Sequence, residues 1–177
     1  MRPAMIAAAV VVAVVFAGGL ALRLYMGRAA EDRLAPAESV SLAGLQAPLP
    51  QNAFLACPPG YCRAAMAASP IFAMPWPRLA EYWAEIVARE PRIVRVASAP
   101  DRKAIVLIQH SLLFRFPDII TVEFAALAPD RSSLAIYSRA RYGKKDFGVN
   151  RQRVERWLAL LQRAIANGSS PAQRERR

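Results

Sequence analysis

AIVLIQHSLLFRFPDIITVEFAALAPDRSSLAIYS, residues Ala104 to Ser138, holds most of the β-strand signal in this chain. Apolar residues alternate with others along much of it, at the period of two that puts every second side chain on one face of a strand. The pattern predicts strands over 104–116, 119–127 and 134–138. Pro117-Asp118 separates the first two predicted strands, and Pro129 to Ser132, which has turn chemistry, separates the second from the third. Because the connections are short, we expect consecutive strands to pair antiparallel.

The alternation also predicts which side chains face the core. In the first strand the inward set runs from Val106 to Phe116: Val106, Ile108, His110, Leu112, Phe114 and Phe116. In the next two strands the inward residues are Ile120, Val122, Phe124, Leu134 and Ile136. Thr121 and Glu123 are predicted to point to solvent, and His110, the only histidine, is predicted to be buried among core residues.

Amphipathic helices flank these strands. After Pro77, the residues Leu79, Tyr82, Trp83 and Ile86 recur at helical spacing, and Pro91 ends the pattern. Ile93 to Ala97 is a short strand candidate. A second helix is expected after Asn150 as its N-cap, with the apolar stripe Val154, Trp157, Leu158, Leu161 and Ile165. The predicted fold class is α+β: an antiparallel sheet of about four strands, with two main helices on one face and one N-terminal transmembrane helix before it.

The amino terminus is predicted to reach a membrane. Pro3 to Leu22 is uncharged, and an apolar helix of about 20 residues spans the roughly 30 Å of a bilayer's hydrocarbon core. A retained anchor is favoured because the run is longer than a signal-peptide core, yet Gly19 and Ala21 are small residues spaced like a cleavage site. Arg2 and Arg23 flank the segment and orient it poorly. The positive-inside rule, read literally, slightly favours the body inside, but an apolar segment at the extreme terminus favours its export.

Composition divides the chain into four parts. Residues 1–27 form the anchor or signal peptide, 28–50 a linker, 51–166 one α+β domain and 167–177 a disordered basic tail. The net charge of +11 indicates attraction to anionic partners, or only an ordinary solvated basic surface. Nucleic acid is a disfavoured partner, because no nucleic-acid-binding motif accompanies the charge.

The two cysteines are predicted to form a small disulfide loop. Between Cys57 and Cys62, Pro59 and Gly60 suit the centre of a type II turn, which would bring the flanking residues together. A disulfide leads if the domain is exported, and free thiols are the alternative. A metal site is not expected, since thiolate sites normally recruit four ligands.

The candidate site is the corner between the last strand and the last helix, SRARYGKKDFGVN, residues 138–150. One interpretation is a rigid corner in which Asp146 pairs with an arginine and backbone amides while Tyr142 and Phe147 pack. The other is a surface for an anion or a partner, in which exposed amides and cations hold a phosphate or carboxylate. The residues of this candidate corner are Arg139, Arg141, Tyr142, Lys144, Lys145, Asp146 and Asn150.

The corner also carries a family resemblance. Ser138-Arg139, Gly143, Asp146, Gly148 and Asn150-Arg151, followed by Val154 and a tryptophan-bearing helix, resemble the signature of the domain-of-unknown-function family 1499. Cys57-Pro58, Phe116-Pro117-Asp118 and Tyr137 fit the same family, from near Phe54 to near Leu161. The resemblance implies a bacterial envelope or plastid setting, which agrees with export. It implies no activity and no catalytic residues.

Catalysis is not the favoured function. Ser138, His110 and Asp118 could be written as a triad, but Ser138 lacks a Gly-x-Ser-x-Gly elbow and His110 is expected to face the core. No catalytic residue and no cofactor is assigned. We expect a membrane-anchored, extracytoplasmic interaction or assembly module that binds an envelope protein or anionic lipid. The alternative is a binding domain for an anionic or amphipathic small molecule such as a lipid, with a cavity lined by Phe114, Phe116, Phe124 and Tyr137.

Overall fold

The computed structural model describes residues 3–34 and 40–168, which form three α-helices, one short 3₁₀ helix and one sheet. The α-helices are α1 (Pro3–Leu34), α2 (Trp76–Ala88) and α3 (Val149–Ala166). The strands are β1 (Ala53–Cys57), β2 (Ala67–Ala68), β3 (Ile93–Ala99), β4 (Ala104–His110), β5 (Pro117–Ala128) and β6 (Arg131–Ala140). The predicted tail beyond Gly168 and residues 35–39 of the predicted linker lie outside the described residues.

The six strands form a mixed sheet in the order β2-β1-β6-β5-β4-β3. The α+β class is therefore confirmed, whereas the prediction of about four strands, all antiparallel, is corrected. β1 pairs antiparallel with β6 and parallel with β2, and the pairs from β3 to β6 are antiparallel. Sequence alternation misses β1 because all five of its residues are buried, and β2 has only two residues.

The two helices after α1 cover one face of the sheet, as predicted. Leu79, Trp83, Trp157 and Leu161 are buried there together with the inward residues of β5 and β6. Trp83 and Trp157 meet edge to face with ring centroids 5.3 Å apart, a preferred geometry for aromatic pairs. The contact fixes α2 and α3 against each other over the sheet.

The second face of the sheet is covered too, by the chain around β1. Leu42, inside the predicted linker, is fully buried in a cluster with Leu55 and Tyr137. The prediction that Thr121 and Glu123 point to solvent is therefore wrong, since both are buried. The Glu123 carboxylate accepts the Leu42 backbone N–H at 3.1 Å and the Tyr61 hydroxyl at 3.3 Å, so it fastens this segment to the sheet.

The first predicted strand is too long. β4 ends at His110, which is buried as predicted, and residues 111–116 form a loop in which Arg115 has a φ of 55°. The loop is closed by the Ser111 N–H donating to the Phe116 carbonyl at 2.9 Å. Leu112, Phe114 and Phe116, predicted to face the core, are exposed. Pro117 begins β5 instead of ending a strand.

A segment of α1, Met5–Tyr25, is long and apolar enough to cross a membrane, although a signal sequence would satisfy the same criteria. α1 also contacts β4 and β5 of the folded domain. Beyond the strands, the Arg23 Nη1 donates to the Leu113 carbonyl at 3.3 Å. The apolar helix thus touches the domain that follows it, while none of the apolar window is buried.

Candidate functional site

The corner between β6 and α3 is organised by one carboxylate. Asp146 accepts the backbone N–H of Gly148 at 3.1 Å and of Asn150 at 2.8 Å, and also the Asn150 side-chain amide at 2.8 Å. Burial alone would raise the pKa of Asp146, but these hydrogen bonds outweigh it and lower the pKa. Gly148, at a φ of 83°, occupies the position before the helix. Asp146 therefore caps α3, which corrects the prediction that Asn150 does.

Asn150 instead lies inside the first turn of α3, where it is fully buried. Its side-chain amide donates to the Asn52 carbonyl at 3.0 Å, and its Oδ1 accepts the Ser138 hydroxyl at 2.6 Å. The Asn52 side-chain amide in turn donates to the carbonyls of Ala140 at 3.2 Å and Gly143 at 2.7 Å. Asn150 thus joins the start of α3 to β6 and to the residue before β1.

The other corner residues do not converge on one point. Arg141, Tyr142, Lys144 and Lys145 are exposed. The expectation that Phe147 packs in the corner is wrong, because its side chain is 92% exposed. Tyr142 is 53% exposed, and its ring contacts Phe116 of the preceding loop instead of the corner.

Arg139 is separated from the start of α3. Strand alternation puts it on the side of β6 that carries Tyr137, opposite Ser138 and α3. Burial lowers the pKa of its guanidinium, and the nearby Arg141 charge adds to the effect.

A buried arginine, Arg153, forms the centre of a polar network that sequence reasoning missed. Its Nε donates to Gln109 Oε1 at 2.5 Å and its Nη2 to Asp118 Oδ2 at 2.5 Å. Its Nη1 donates to Ser138 Oγ at 2.8 Å and Asn150 Oδ1 at 2.5 Å. The guanidinium therefore ties α3 to β4, β5 and β6 at once.

The network contains an ion pair that is largely buried. The Arg153 and Asp118 side chains are only 7% and 17% exposed. Burial raises the pKa of the Asp118 carboxyl, although the charge and hydrogen bond of Arg153 oppose the rise. Ser138 is bound by Asn150 and Arg153 in this network, so its hydroxyl is used in positioning the helix.

One signal in the sequence could have found the network. Asn150, Arg153, Val154 and Trp157 are spaced i, i+3, i+4 and i+7, which places them on one face of α3. The apolar stripe predicted from the sequence begins at Val154, but the structure extends that buried face to the start of the helix with the polar residues Asn150 and Arg153.

Two clefts border these elements. A basic cleft of about 400 Å³ lies beside the network, and its charged lining includes Arg92, Asp118, Arg153 and Arg156. An apolar pocket of about 230 Å³ lies between α2 and the edge of the sheet. Its lining includes Trp76, Trp83, Ile105, Phe124, Arg95 and Lys103.

The cavity predicted from four aromatic residues does not form. Phe124 lines the apolar pocket on the helix side of the sheet, whereas Tyr137 belongs to the cluster on the opposite face. Phe114 and Phe116 lie on the exposed loop before β5. Within residues 3–34 and 40–168, no three His, Cys, Asp or Glu side chains are grouped so that they could hold a metal ion.

The chain belongs to the family described as Protein of unknown function (DUF1499), whose model matches residues 62–161. The match confirms the resemblance carried by the corner residues, and it includes the whole Arg153 network except the bond to Asn52. It begins at Cys62, so the Cys57-Pro58 pair lies outside it. No curated protein and no solved structure matches the chain.

Proposed function

We propose that this protein is a membrane-anchored, non-catalytic module of the cell envelope, with α1 retained as a single-pass anchor. The observation that carries the proposal is the length of the apolar span. Met5–Tyr25 has 21 residues, enough to cross the hydrocarbon core of a bilayer and more than the roughly 7–15 residues of a signal-peptide core. The helix also contacts β4 and β5, and Arg23 binds the Leu113 carbonyl, which agrees with a domain held beside α1.

Two further features support this role. Cys57 and Cys62 are joined by a disulfide, a bond that persists in oxidising compartments outside the cytoplasm. The polar residues of the corner support a positioning role, because Asp146, Asn150 and Arg153 bind one another, the backbone and the sheet. Such a network rigidifies a scaffold when its members are satisfied.

The test is the fate of the amino-terminal segment in cells. Reporters active only inside or only outside the cytoplasm are fused to the carboxy terminus, and the mass of the membrane-extracted protein is measured. The proposal expects activity outside and a mass that includes Met5–Tyr25. A matched control is Val12→Arg, which places a charge in the centre of the span and should reduce membrane retention. A mass that lacks the segment would refute the anchor, and a cytoplasmic signal would refute the envelope setting.

A second function, binding of a small amphipathic anion, is favoured by the apolar pocket between α2 and the sheet. Trp76 and Phe124 form its apolar wall with ring centroids 6.2 Å apart. Arg95 and Lys103 add positive charge to the lining, and the Lys103 Nζ lies 5.4 Å from the centre of the Trp76 ring. We propose a carboxylate or phosphate with one short apolar group as the ligand class.

This second function is tested by tryptophan fluorescence on addition of short-chain fatty acids. Ala80→Leu fills the pocket and should abolish the change in emission, while Ala88→Leu, on the exposed end of the same helix, should leave it unchanged. Equal responses from the two variants, or no response from the unsubstituted chain, would exclude this pocket as the binding site.

A further inference from the structure

One end of the sheet carries a concentration of exposed apolar side chains. The residues of this surface, the apolar tip, are Leu112, Leu113, Phe114, Phe116, Tyr142 and Phe147. Leu113 is 69% and Phe147 92% exposed. An isolated soluble domain would be more stable if such large apolar side chains were buried. Exposed apolar residues grouped in this way indicate an interaction surface.

The tip is assembled from two segments that lie side by side. The Arg141 N–H donates to the Pro117 carbonyl at 3.0 Å, which holds the corner against the end of the 111–116 loop. The Phe116 ring lies 5.6 Å from Phe114 and 6.3 Å from Tyr142, centroid to centroid. The rings of Phe114, Phe116 and Tyr142 therefore form a continuous group across both segments.

The tip also borders the anchor. Leu113 and Phe114 form a groove of about 410 Å³ with Val15, Phe16, Gly19, Leu20 and Arg23 of α1. Except for Arg23, the α1 side of this groove is apolar and belongs to the interior of the candidate span, Met5–Tyr25. The loop is thus beside the part of α1 that a bilayer would surround.

We infer that the apolar tip docks into the interfacial zone of the bilayer that holds α1, an inference that rests on the proposed retention of the anchor. Arg23 is near the end of the span, where a long cation can reach the headgroups, and it binds the Leu113 carbonyl. Gly19 and Leu20 lie about one turn deeper, or roughly 5 Å. Val15 and Phe16, on the same groove, lie about two turns deeper than Arg23, or roughly 10–12 Å. The groove therefore extends through the depth of about 5–10 Å at which apolar faces enter the headgroup and acyl boundary, and its deepest residues lie just beyond it.

Backbone chemistry limits how deep the loop can go. Its closing hydrogen bonds join the Ser111 N–H to the Phe116 carbonyl and the Phe116 N–H to the Ser111 hydroxyl. The loop therefore needs water or headgroups for backbone groups at its centre, because irregular backbone is not tolerated where it faces lipid in the hydrocarbon core. Side chains enter the acyl boundary while the backbone stays at headgroup level.

Cations around the tip favour a negatively charged leaflet. Arg115 lies in the loop, and Arg141, Lys144 and Lys145 are exposed in the corner beside it. Aromatic side chains placed among cations suit a membrane interface, where the rings meet the acyl boundary and the charges meet lipid phosphates. The corner predicted from the sequence as an anion or partner surface thus becomes the headgroup-facing part of the tip.

The experiment places a tryptophan in the tip of the full chain and measures its depth in a membrane. Phe114→Trp and Leu113→Trp are reconstituted in nanodiscs of phosphatidylcholine and phosphatidylglycerol that carry spin-labelled lipid, with the label either near the headgroup or near the acyl end. Ile71→Trp is the control, because Ile71 is exposed and apolar. It adjoins Phe72, which pairs with Ser132 near the other end of β6. The signal of the three native tryptophans is subtracted with the unsubstituted chain.

We expect both tip variants to lose most of the added emission to the headgroup-level label and less to the deep label, and Ile71→Trp to lose none. If the tip variants stay unquenched in chains that float with the nanodiscs, the inference is overturned and the anchor remains intact. A tip that contacts only a protein partner would give this same unquenched result. Quenching of Ile71→Trp to the same extent would also overturn it. A chain that does not float with lipid at all would refute the anchor itself.

Discussion

Replacing Arg153 by methionine tests the central role of the buried network. The variant keeps an apolar stem but removes the cation, so the Asp118 carboxylate loses its ion partner at 17% side-chain exposure. Gln109, Ser138 and Asn150 each lose a hydrogen bond to the guanidinium at the same time. Breaking a buried ion pair from one side costs about 3–5 kcal/mol, and we expect Arg153→Met to reduce the free energy of unfolding by that amount.

The effect should depend on pH with a definite sign. Burial raises the pKa of Asp118 even with Arg153 present. At a pH between the usual pKa and the raised pKa, Asp118 is therefore protonated in the folded state and already deprotonated in the unfolded state. The contribution of Asp118 to stability is full below its usual pKa and is lost as the pH rises through the raised one. Without Arg153 the pKa rises further, so the deficit of Arg153→Met should be larger at neutral pH than in acid.

The assay is denaturant unfolding of the full chain in detergent micelles, followed by the emission of buried Trp83 and Trp157. Arg163→Met is the matched control, because Arg163 is an exposed arginine of the same helix whose Nε donates to the Ala159 carbonyl at 3.2 Å. It should change stability by about 0.5 kcal/mol or less. The double variant Arg153→Met with Asp118→Asn should be more stable than Arg153→Met at neutral pH. A loss in Arg153→Met no larger than in Arg163→Met, or one that grows in acid, would refute the reasoning.

Three further predictions concern the corner and the disulfide loop. Asp146→Ala should cost about 1–2 kcal/mol through loss of the α3 cap. Hydrogen bonds lower the pKa of Asp146. Its contribution to the free energy of unfolding is therefore present above the usual pKa and is lost as the pH falls through the lowered pKa. Unfolding curves of variant and parent that stay apart at low pH would contradict this assignment. Cys57→Ala with Cys62→Ala should lower stability by about 2 kcal/mol, as chain entropy gives for so short a loop, and equal midpoints for the oxidised parent and the variant would argue against it. Lys144→Ala with Lys145→Ala should reduce quenching of the Phe114→Trp tip variant in phosphatidylglycerol nanodiscs but not in pure phosphatidylcholine, and equal quenching in both lipids would exclude a role for these charges.

The parts of the fold that could be predicted were those with a clear period and one buried face. Leu79 to Ile86 and Val154 to Leu161 repeat at helical spacing and form the helix layer. Ile120, Val122 and Leu134 alternate and face that layer. These stripes specify which face meets the core without knowledge of the rest of the chain.

Prediction failed where a second, distant segment determined burial. Glu123 alternates like a solvent-facing residue, but Leu42 lies over it, and nothing local to either residue indicates the contact. The 111–116 loop failed for the opposite reason. Its apolar residues continue the strand pattern, yet the chain turns there and leaves Phe114 exposed beside α1. A rule that assigns every apolar residue to the core cannot recognise one placed beside an exposed apolar helix.

The candidate corner was located correctly in the chain, but its internal roles were not. Glycines and charges mark the turn before α3, and Gly143 and Gly148 do adopt positive φ. α3 begins at Val149, two residues before the start that Asn150 as N-cap implies, and spacing does not resolve a difference of that size. Arg153 was overlooked because a buried guanidinium is recognisable only when its partners on three strands are known.

The burial of Leu42 limits how far the domain can move from its anchor. α1 ends at Leu34 and Leu42 is fixed in the core, so the chain between them can span at most about 29 Å even when fully extended. With α1 retained in a bilayer, as we propose, the apolar tip stays within a short distance of the membrane and meets lipid as an intramolecular event. An effective concentration in the millimolar range is typical of such short links. A contact too weak to recruit a free domain is then strong enough to orient a tethered one, and the orientation determines which face of the sheet is presented to the compartment beyond.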